Sequence, residues 1–414
     1  MIQERLLLQK RELEARRHEK YVPRDIGSQA LSPYLINVIL GPRRAGKSTF
    51  AIHALHEPFG YVNFDDEKLA EVQDYDEIIA AVDALYDTPM TLLFDEIQNL
   101  PRWELFVNRL QRQGRKLIIT GSNAHLLSKE LATHLTGRHL PVILFPFSFS
   151  EFLKRKGSEL MVVEKKSLLE FYLINGGYPE PLLKDTASKE YISTLFTSII
   201  YKDIMKRFSL RIPQAVEDLA LYLVANVSQE FSYNTLRKIA KCNSVHTIDK
   251  YLSYLEEAFL FFQVKKFSFK AREQLTHNKK MFCIDNGFIT AKAFQTSTNY
   301  GQLYENIAAI HLKRSKMMGK LDFYYWKNSQ QEEVDFVIKQ GLKITQLIQV
   351  CYELEKEKTK EREIRALLKA GKELKCKDLL IITKEREGTE AKEWFGVKGT
   401  VRYIPLWKWL LQKS

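Results

Sequence analysis

The sequence predicts an α/β protein of several domains, with a parallel sheet in the first. The first observation is length, because 414 residues exceed what one hydrophobic core usually supports. The second is a series of short apolar runs, each followed by a helical pattern, which is typical of a parallel sheet. With 45% hydrophobic residues, the chain can form buried cores and is not predicted to be disordered.

Composition and charge narrow the class of protein. No apolar run approaches the roughly 20 residues of a membrane span, and residues 1–20 lack the pattern of a secretion signal. We therefore expect a cytoplasmic protein without a membrane partner. The four cysteines form no C-x-x-C pair, so we expect buried free thiols. The net charge of +12 favours a polyanionic partner such as nucleic acid, although a lysine excess can also serve solubility alone.

The first predicted strand, residues 35–40, runs into the pattern G-x-x-x-x-G-K-[ST] (the P-loop), and a helix is predicted at 50–56. The two glycines allow a tight turn in which backbone N–H groups face phosphates. Lys47 is expected to reach the β and γ phosphates of ATP, and Ser48 to ligate magnesium. The predicted ATP-binding residues are Gly41, Pro42, Arg43, Arg44, Ala45, Gly46, Lys47, Ser48 and Thr49.

A second predicted strand, residues 91–96, ends in two carboxylates, Asp95 and Glu96. Ligands gather at the carboxyl ends of parallel strands, so we expect this strand next to the P-loop strand. Asp95 is predicted to hold magnesium, and Glu96 to polarise the water that attacks the γ phosphate. Such a pair can also cap the following helix, but the P-loop upstream favours ATP hydrolysis.

Two more strands, at 116–120 and 140–145, flank a predicted helix at 124–136. Together with the P-loop these segments resemble the bacterial and archaeal AAA-type ATPases that carry a C-terminal domain of unknown function with a restriction-endonuclease-like core. The matching segments are YVPRD at 21–25, the P-loop, LFDEIQ at 93–98, TGS at 120–122, LTGR at 135–138, PFSFSEF at 146–152, GGYPE at 176–180 and EVDF at 333–336.

The resemblance implies two further roles in the ATPase site. Ser122 or Asn123, after the third strand, resembles the polar residue that senses the γ phosphate, although either could instead cap the next helix. Arg138 resembles an arginine finger that reaches the nucleotide of a neighbouring subunit, which implies a homo-oligomeric ring. A plain arginine at a helix end is the alternative.

The resemblance also implies an order of domains, which the patterns along the chain agree with. The predicted order is an N-terminal helical extension (1–30), an AAA-type core with a five-stranded sheet (31–155), a helical lid (156–212), a winged helix (213–275) and a restriction-endonuclease-like domain (276–414). Residues 9–20 are predicted to form a solvated helix, with DNA contact as the alternative. Gly176 and Gly177, followed by Pro179, suit a hinge.

Helical patterns at 213–226, 233–240 and 245–260, followed by a strand at 261–267, predict a winged helix-turn-helix. Its lysines would mainly meet phosphates. Packing against a neighbouring domain is the alternative role. The candidate DNA contacts are Asn243, Ser244, His246, Thr247, Lys250, Lys265, Lys266, Lys270 and Arg272.

The C-terminal segment predicts a nuclease scaffold with altered chemistry. In nucleases of this architecture an Asp and the Glu of a Glu-x-Lys one strand later hold magnesium, and the lysine helps to activate water. Here Asp335 is present and Glu305 could join it, but Gln349 and Cys351 stand where Glu and Lys are expected. Gln is a weaker magnesium ligand and Cys cannot replace an ammonium, so we expect DNA gripping or protein contacts rather than cleavage.

The sequence therefore predicts a magnesium-dependent ATPase that couples its nucleotide state to the binding or remodelling of DNA, either duplex or branched. Two alternatives stay open. One is an ATP-gated switch acting on protein partners, and the other is an ATP-dependent nuclease.

Overall fold

The computed structural model describes residues 2–27, 30–123, 137–157, 159–184, 188–210, 212–293 and 299–412. The chain divides into two compact units. Unit 1 is Met1–Phe147 with Glu257–Phe259, and unit 2 is Ser148–Glu256 with Leu260–Ser414. The five domain boundaries given above stay a prediction. No helix within the described ranges is long and apolar enough to cross a bilayer.

Unit 1 contains a parallel five-stranded sheet, which confirms the predicted fold class of the first domain. The strand order is β2-β3-β4-β1-β5. The strands are β1 Ile36–Leu40, β2 Phe59–Asn63, β3 Thr91–Asp95, β4 Lys116–Gly121 and β5 His139–Ile143. The helices described in this unit are α1 Ile2–Arg17, α2 Lys47–Ala54, α3 Glu67–Ala70, α4 Tyr75–Tyr86 and α5 Trp103–Arg112. The predicted helix 124–136 lies outside the described residues.

The sheet order corrects one expectation about the site. We expected the strand that ends in Asp95 to lie next to the P-loop strand, but β4 lies between β1 and β3. Neighbouring strands are about 4.8 Å apart, so β1 and β3 are separated by about 10 Å. Side chains from β4 therefore take part in joining the two halves of the site.

The N-terminal helix is exposed over most of residues 9–20, as its charge suggested, but one side of it packs on the rest of unit 1. Leu6 and Leu13 of α1 are buried in the apolar core of unit 1. Gln9 is also buried, and its side chain exchanges two hydrogen bonds of 2.9 and 3.0 Å with the backbone of Asn63 in β2. Because only a few positions of the helix face inward, its overall polarity concealed this packing.

Unit 2 begins with helices and continues with a small antiparallel sheet. The first helices are α6 Phe149–Lys156, α7 Val162–Asn175, α8 Pro179–Lys184, α9 Ser188–Ser198 and a π-helix at Ile199–Lys206. They are followed by α10 Pro213–Ala225, β6 Glu230–Phe231, α11 Tyr233–Ile239, α12 Val245–Glu257, β7 Phe261–Lys265, α13 Ala271–Thr276 and β8 Lys279–Cys283. The sheet has the order β6-β8-β7.

The rest of unit 2 is a mixed six-stranded sheet with helices. After α14 Asn286–Lys292 and α15 Tyr300–Met317 come β9 Asp322–Lys327, β10 Glu333–Gln340, β11 Lys343–Cys351, α16 Glu357–Leu374, β12 Leu379–Thr383, β13 Gly388–Trp394, β14 Val397–Pro405 and α17 Leu406–Leu410. The strand order is β13-β14-β12-β11-β10-β9. Residues of α16 such as Leu367 pack with strand residues such as Leu347 in one apolar cluster.

The two sheets of unit 2 are joined through their backbones. Lys266, just after β7, forms a parallel bridge with Tyr325 of β9, and the Phe267 N–H donates to the Tyr325 carbonyl at 2.7 Å. The Phe267 ring then packs in the apolar cluster beneath α16. The small sheet is thus attached to the edge of the large one.

The glycine pair after α7 is fixed by a buried carboxylate. Asp285 accepts hydrogen bonds from the N–H groups of Gly177 at 2.7 Å and Gly287 at 2.8 Å. Gly176 has φ 75°, and a Cβ there would lie 1.8 Å from the Asp285 Oδ1. Only glycine fits this position. The predicted hinge role of this turn stays a prediction.

Candidate functional site

The loop between β1 and α2 has a conformation that requires glycine at two positions. Gly41 has φ 153° and Gly46 has φ 89°. A Cβ on Gly41 would lie 2.0 Å from the backbone oxygen of Leu144. The Leu144 N–H in turn donates to the Leu40 carbonyl at 2.7 Å. The segment after β5 therefore fixes the start of the loop, and α2 begins directly after it at Lys47.

Lys47 is the buried cation of the loop, with 4% of its surface exposed. Its ammonium donates to the Pro42 carbonyl at 3.1 Å and lies 3.8 Å from the Glu96 Oε1. The loop thus curls around its own lysine. An ammonium in this place is suited to neutralise phosphate charge next to Glu96.

Ser48 and Asp95 meet between the loop and β3. The Ser48 Oγ donates to the Asp95 Oδ1 at 2.8 Å, Tyr61 donates to the Asp95 Oδ2 at 3.1 Å, and Thr120 of β4 also donates to Oδ1. Burial raises the pKa of Asp95, and the nearby charge of Glu96 adds to this. A hydroxyl and a carboxylate are hard oxygen ligands, so the pair Ser48 and Asp95 fits magnesium.

Glu96 follows Asp95 in a strained backbone conformation, with φ 51°. Its N–H donates to the Thr120 Oγ1 at 3.0 Å, and its carboxylate accepts a hydrogen bond from Gln98. Burial alone would raise the pKa of Glu96, but the charge of Lys47 and the Gln98 hydrogen bond outweigh it, so the pKa is lowered. Glu96 is therefore ionised at neutral pH, as a general base must be.

The two predicted sensor residues lie near this carboxylate. Ser122 is 1% exposed and Asn123 is 6% exposed. The Ser122 Oγ accepts a hydrogen bond from Gln98 at 3.4 Å, and the same amide contacts Glu96. Ser122 is thus linked to the predicted general base through one side chain. The choice between Ser122 and Asn123 as sensor stays open.

Arg138 lies at the other end of the sheet from the P-loop. Its carbonyl accepts from the Ile36 N–H at 3.0 Å, at the start of β1, whereas the loop follows the last residue of β1. Five strand residues span about 15 Å. The Arg138 side chain is exposed and lines a groove of about 900 Å³ together with Arg102, Arg109 and Arg112. This position directs Arg138 away from the nucleotide site of its own subunit.

Several side chains of the site were not predicted from the sequence. Thr120 and Tyr61 come from β4 and β2, whose places in the sheet the sequence order does not give. Arg24, in the YVPRD segment, is buried and donates to the Ala45 carbonyl of the loop at 3.0 Å and to the Phe145 carbonyl. The sequence did point to Arg24, because this arginine is part of the matching segment YVPRD.

The predicted nuclease-like residues of unit 2 are only partly brought together. Glu305, Asp335 and Gln349 line a pocket of about 520 Å³. Below them lies Lys280 of β8, 3% exposed, whose ammonium is 2.9 Å from Glu305 and 3.7 Å from Asp335. It also contacts Glu333. No sequence motif pointed to Lys280.

Cys351 does not line this pocket, whereas Gln349 lines it with its side chain bound to neighbouring groups. Cys351 packs in the apolar cluster under α16, where burial raises the pKa of its thiol to about 12. The Gln349 Oε1 accepts the Asp335 N–H at 3.2 Å, and its amide donates to Glu363 of α16 at 2.5 Å. Glu353, Glu355 and Glu361 are exposed. The inward turn of Glu363 was not foreseen.

The predicted DNA contacts are mostly at the surface of unit 2. Asn243, Ser244, His246, Lys250, Lys265, Lys270 and Arg272 are exposed, whereas Thr247 and Lys266 are half-buried. The Lys250 ammonium lies 5.8 Å from the centre of the Tyr254 ring. These residues form a polar and basic surface around α12 and the β7–β8 connection.

Comparison with family models and known proteins gives three consecutive matches. Residues 34–153 match an AAA domain, residues 166–299 a domain of unknown function (DUF8612) and residues 300–409 a domain of unknown function (DUF4143). The chain is 35% identical to the uncharacterized protein MJ1544 of Methanocaldococcus jannaschii, over 96% of this chain and 93% of that protein. It is 33% identical to an uncharacterized protein of Haemophilus influenzae, over 91% and 94%.

Solved structures show only distant similarity. The replication initiator DnaA, bound to AMPPCP and single-stranded DNA, has 18% identity over 55% of this chain and 83% of its own, with a TM-score of 0.29. Cdc6p from Pyrobaculum aerophilum has 13% identity over 72% and 98%, with a TM-score of 0.28. Similarity at this level is too low to support a conclusion about function.

Proposed function

Because the chain belongs to the protein family of MJ1544 and its residues 34–153 match an AAA domain, we propose that it binds and hydrolyses magnesium-ATP. We propose further that its nucleotide state is coupled to the binding or remodelling of DNA. The observation that carries the ATPase proposal is the arrangement of two pairs. Ser48 lies 2.8 Å from Asp95, and Lys47 lies 3.8 Å from Glu96. The phosphate loop and the acidic strand end are thereby within reach of one triphosphate.

Each residue has a distinct task in this proposal. The amides of the loop and the Lys47 ammonium hold the phosphates, and Ser48 and Asp95 hold the magnesium that accompanies the nucleotide. Magnesium, when bound, offsets charge on the β and γ phosphates. Glu96 orients water and accepts its proton, because its lowered pKa keeps it ionised. Arg138 of another subunit would then stabilise the transferred phosphoryl group, which requires a ring or a similar assembly.

A steady-state ATPase assay of the wild type and Glu96→Gln tests this part. The variant should bind ATP with unchanged affinity, while its kcat falls about 100-fold or more, because the amide cannot accept the proton. Glu77→Gln, at an exposed position of α4, makes the same chemical change away from the site. Normal turnover by Glu96→Gln would mean that another group is the general base.

The DNA part of the proposal is supported by charge and by the arrangement of α10 to β8. A helix, a short strand, two helices and two antiparallel strands connected through the short α13, with the strand order β6-β8-β7, suit a winged helix. In that interpretation α12 is the recognition helix, with Ser244 exposed just before it and His246 exposed in its first turn. The net charge of +12 adds long-range attraction to DNA.

The same ATPase assay, repeated with duplex, forked and four-way DNA, tests the coupling. We expect kcat to rise several-fold with at least one DNA structure. Turnover that depends on Glu96 but is unchanged by every DNA would reject the coupling and favour the ATP-gated switch. The loss of turnover in Glu96→Gln tests the chemistry in unit 1, whereas the response of the wild-type kcat to DNA tests a ligand of unit 2.

A further inference from the structure

The pocket of about 520 Å³ in unit 2 has a cation built into it. The Lys280 ammonium lies within ion-pair distance of three carboxylates, those of Glu305, Glu333 and Asp335. These carboxylates come from α15 and β10, whereas Lys280 comes from β8. Burial disfavours the charged form of a lysine, but the charges of Glu305 and Asp335 outweigh it and raise the pKa of Lys280. The ammonium therefore stays charged.

The polar groups next to Lys280 also have partners within the chain. The Asp335 Oδ2 accepts the Val350 N–H at 2.8 Å, and its Oδ1 faces Lys280 at 3.7 Å. Gln349 bridges the Asp335 N–H and Glu363, and the Glu363 Oε1 accepts from Arg362. The nuclease-like resemblance implies a divalent metal held by Glu305 and Asp335. The residues do not fit that metal, because an ammonium already lies between the carboxylates.

We propose that the Lys280 ammonium takes the place of a divalent metal in this pocket, so that the pocket takes up no metal. One ammonium does not balance three carboxylates, but it occupies the space between Glu305 and Asp335 where a divalent metal would have to lie, and a second cation in contact with it would be repelled. Gln349 and Cys351 stand where the nuclease-like resemblance leads us to expect Glu and Lys, and a lysine from another strand lies at the cation position. This inference does not depend on ATP hydrolysis or on DNA binding.

Manganese binding to the nucleotide-free full-length protein tests the proposal, with electron paramagnetic resonance to count bound Mn²⁺. The wild type and Asp335→Asn should bind equal amounts, because the pocket takes up no metal. Lys280→Met removes the charge while keeping an unbranched side chain, and it should gain one Mn²⁺ site per chain. The double variant Lys280→Met with Asp335→Asn should lose that site. Comparing each protein with the same protein carrying Asp335→Asn separates Mn²⁺ bound in the pocket from Mn²⁺ bound at the P-loop.

Two results would overturn the proposal. One is Mn²⁺ binding by the wild type that Asp335→Asn removes, since a metal would then displace the ammonium. The other is a folded Lys280→Met that gains no site. If Lys280→Met does not fold, the comparison of the wild type with Asp335→Asn still decides, and Lys280→Arg, which keeps the charge, should show no Asp335-dependent binding.

Discussion

The hydroxyl of Thr120 donates a hydrogen bond to the carboxylate of Asp95. The same hydroxyl oxygen accepts the Glu96 N–H at 3.0 Å. Thr120 lies on β4, the strand between β1 and β3, so it fills the gap between the P-loop strand and the acidic strand end. It also holds Glu96 in its left-handed conformation.

Thr120→Val should therefore impair catalysis without changing side-chain shape. The valine leaves the buried Glu96 N–H and Asp95 without this partner, which costs about 1–3 kcal/mol in the free energy of unfolding. We expect kcat to fall about 10-fold as Glu96 moves from its position. ATPase kinetics and chemical denaturation measure the two effects. Thr120→Ser keeps the hydroxyl and should stay close to the wild type, whereas equal losses in both variants would contradict this role.

Gly41→Ala should abolish ATP binding through a steric clash. The new Cβ would lie 2.0 Å from the Leu144 oxygen, so the loop must move away from β5. Titration with a fluorescent ATP analogue measures the affinity. Gly114→Ala is the matched control, because Gly114 also has a positive φ, 89°, but has open space around it. If the two variants bind ATP equally well, the clash at Gly41 is not what shapes the loop.

Arg138→Ala should lose ATP hydrolysis while keeping ATP binding, because Arg138 lies at the opposite end of β1 from its own P-loop. The informative measurement is the ATPase activity of a mixture of Arg138→Ala and Glu96→Gln. Arg138→Ala retains Glu96, and Glu96→Gln retains Arg138, so mixed assemblies should recover part of the wild-type activity that neither variant shows alone. Arg112→Ala, in the same groove, should be active by itself. A mixture as inactive as its components would argue against an arginine supplied between subunits.

Asp285 should contribute to the stability of unit 2 at low pH, and this contribution should be lost as the pH rises from about 4 to about 7. Burial raises the pKa of Asp285 from 3.8 to about 7, although the N–H groups of Gly177 and Gly287 and the charge of Arg314 oppose this. The folded state therefore binds this proton more tightly than the unfolded chain, and its stabilisation is lost as the pH passes through that range. The contribution is about 1.4 kcal/mol per pKa unit.

Asp285→Asn isolates this effect from other carboxylates. The variant loses one acceptor at the Gly176–Gly177 turn and should be less stable than the wild type at every pH. Its deficit in the free energy of unfolding should shrink between pH 4 and 7, since only the wild type loses stability there. Denaturation curves across this range give the deficit. A deficit that is constant with pH would place the pKa of Asp285 near its ordinary value.

Lys265→Ala combined with Lys266→Ala should weaken DNA binding and flatten its salt dependence. Removing one lysine–phosphate interaction changes the slope of log K against log salt by about 0.9. Lys265 is exposed and Lys266 half-buried, so we expect the change to correspond to one such interaction rather than two. Lys358→Ala with Lys377→Ala removes the same charge from exposed positions elsewhere in unit 2. Equal slopes for both pairs would exclude the β7–β8 connection from the DNA surface.

Local patterns in the sequence predicted local structure well. The P-loop lies between a strand and a helix as its spacing indicates, because a glycine turn and its neighbours depend on adjacent residues. The strand at 91–95 likewise ends at Asp95. Helix α15 runs from Tyr300 to Met317, and the side chain of Asn299 caps its N-terminus.

Sheet order and inward-facing polar residues could not be predicted in the same way. Thr120 reaches Asp95 only because β4 lies between β1 and β3, and strand order depends on packing between distant segments. Lys280 reaches Asp335 from a different sheet. Both are polar residues in strands, which composition alone would place at the surface. Their roles depend on partners far along the chain.

The bridge between Lys266 and Tyr325 has a mechanical consequence. Because the small sheet continues into the edge of the large sheet through backbone hydrogen bonds, a load on α12 and its hairpin passes directly into β9. The two sheets should therefore move together as one rigid body. A displacement of α12 should then displace the six-stranded sheet as well.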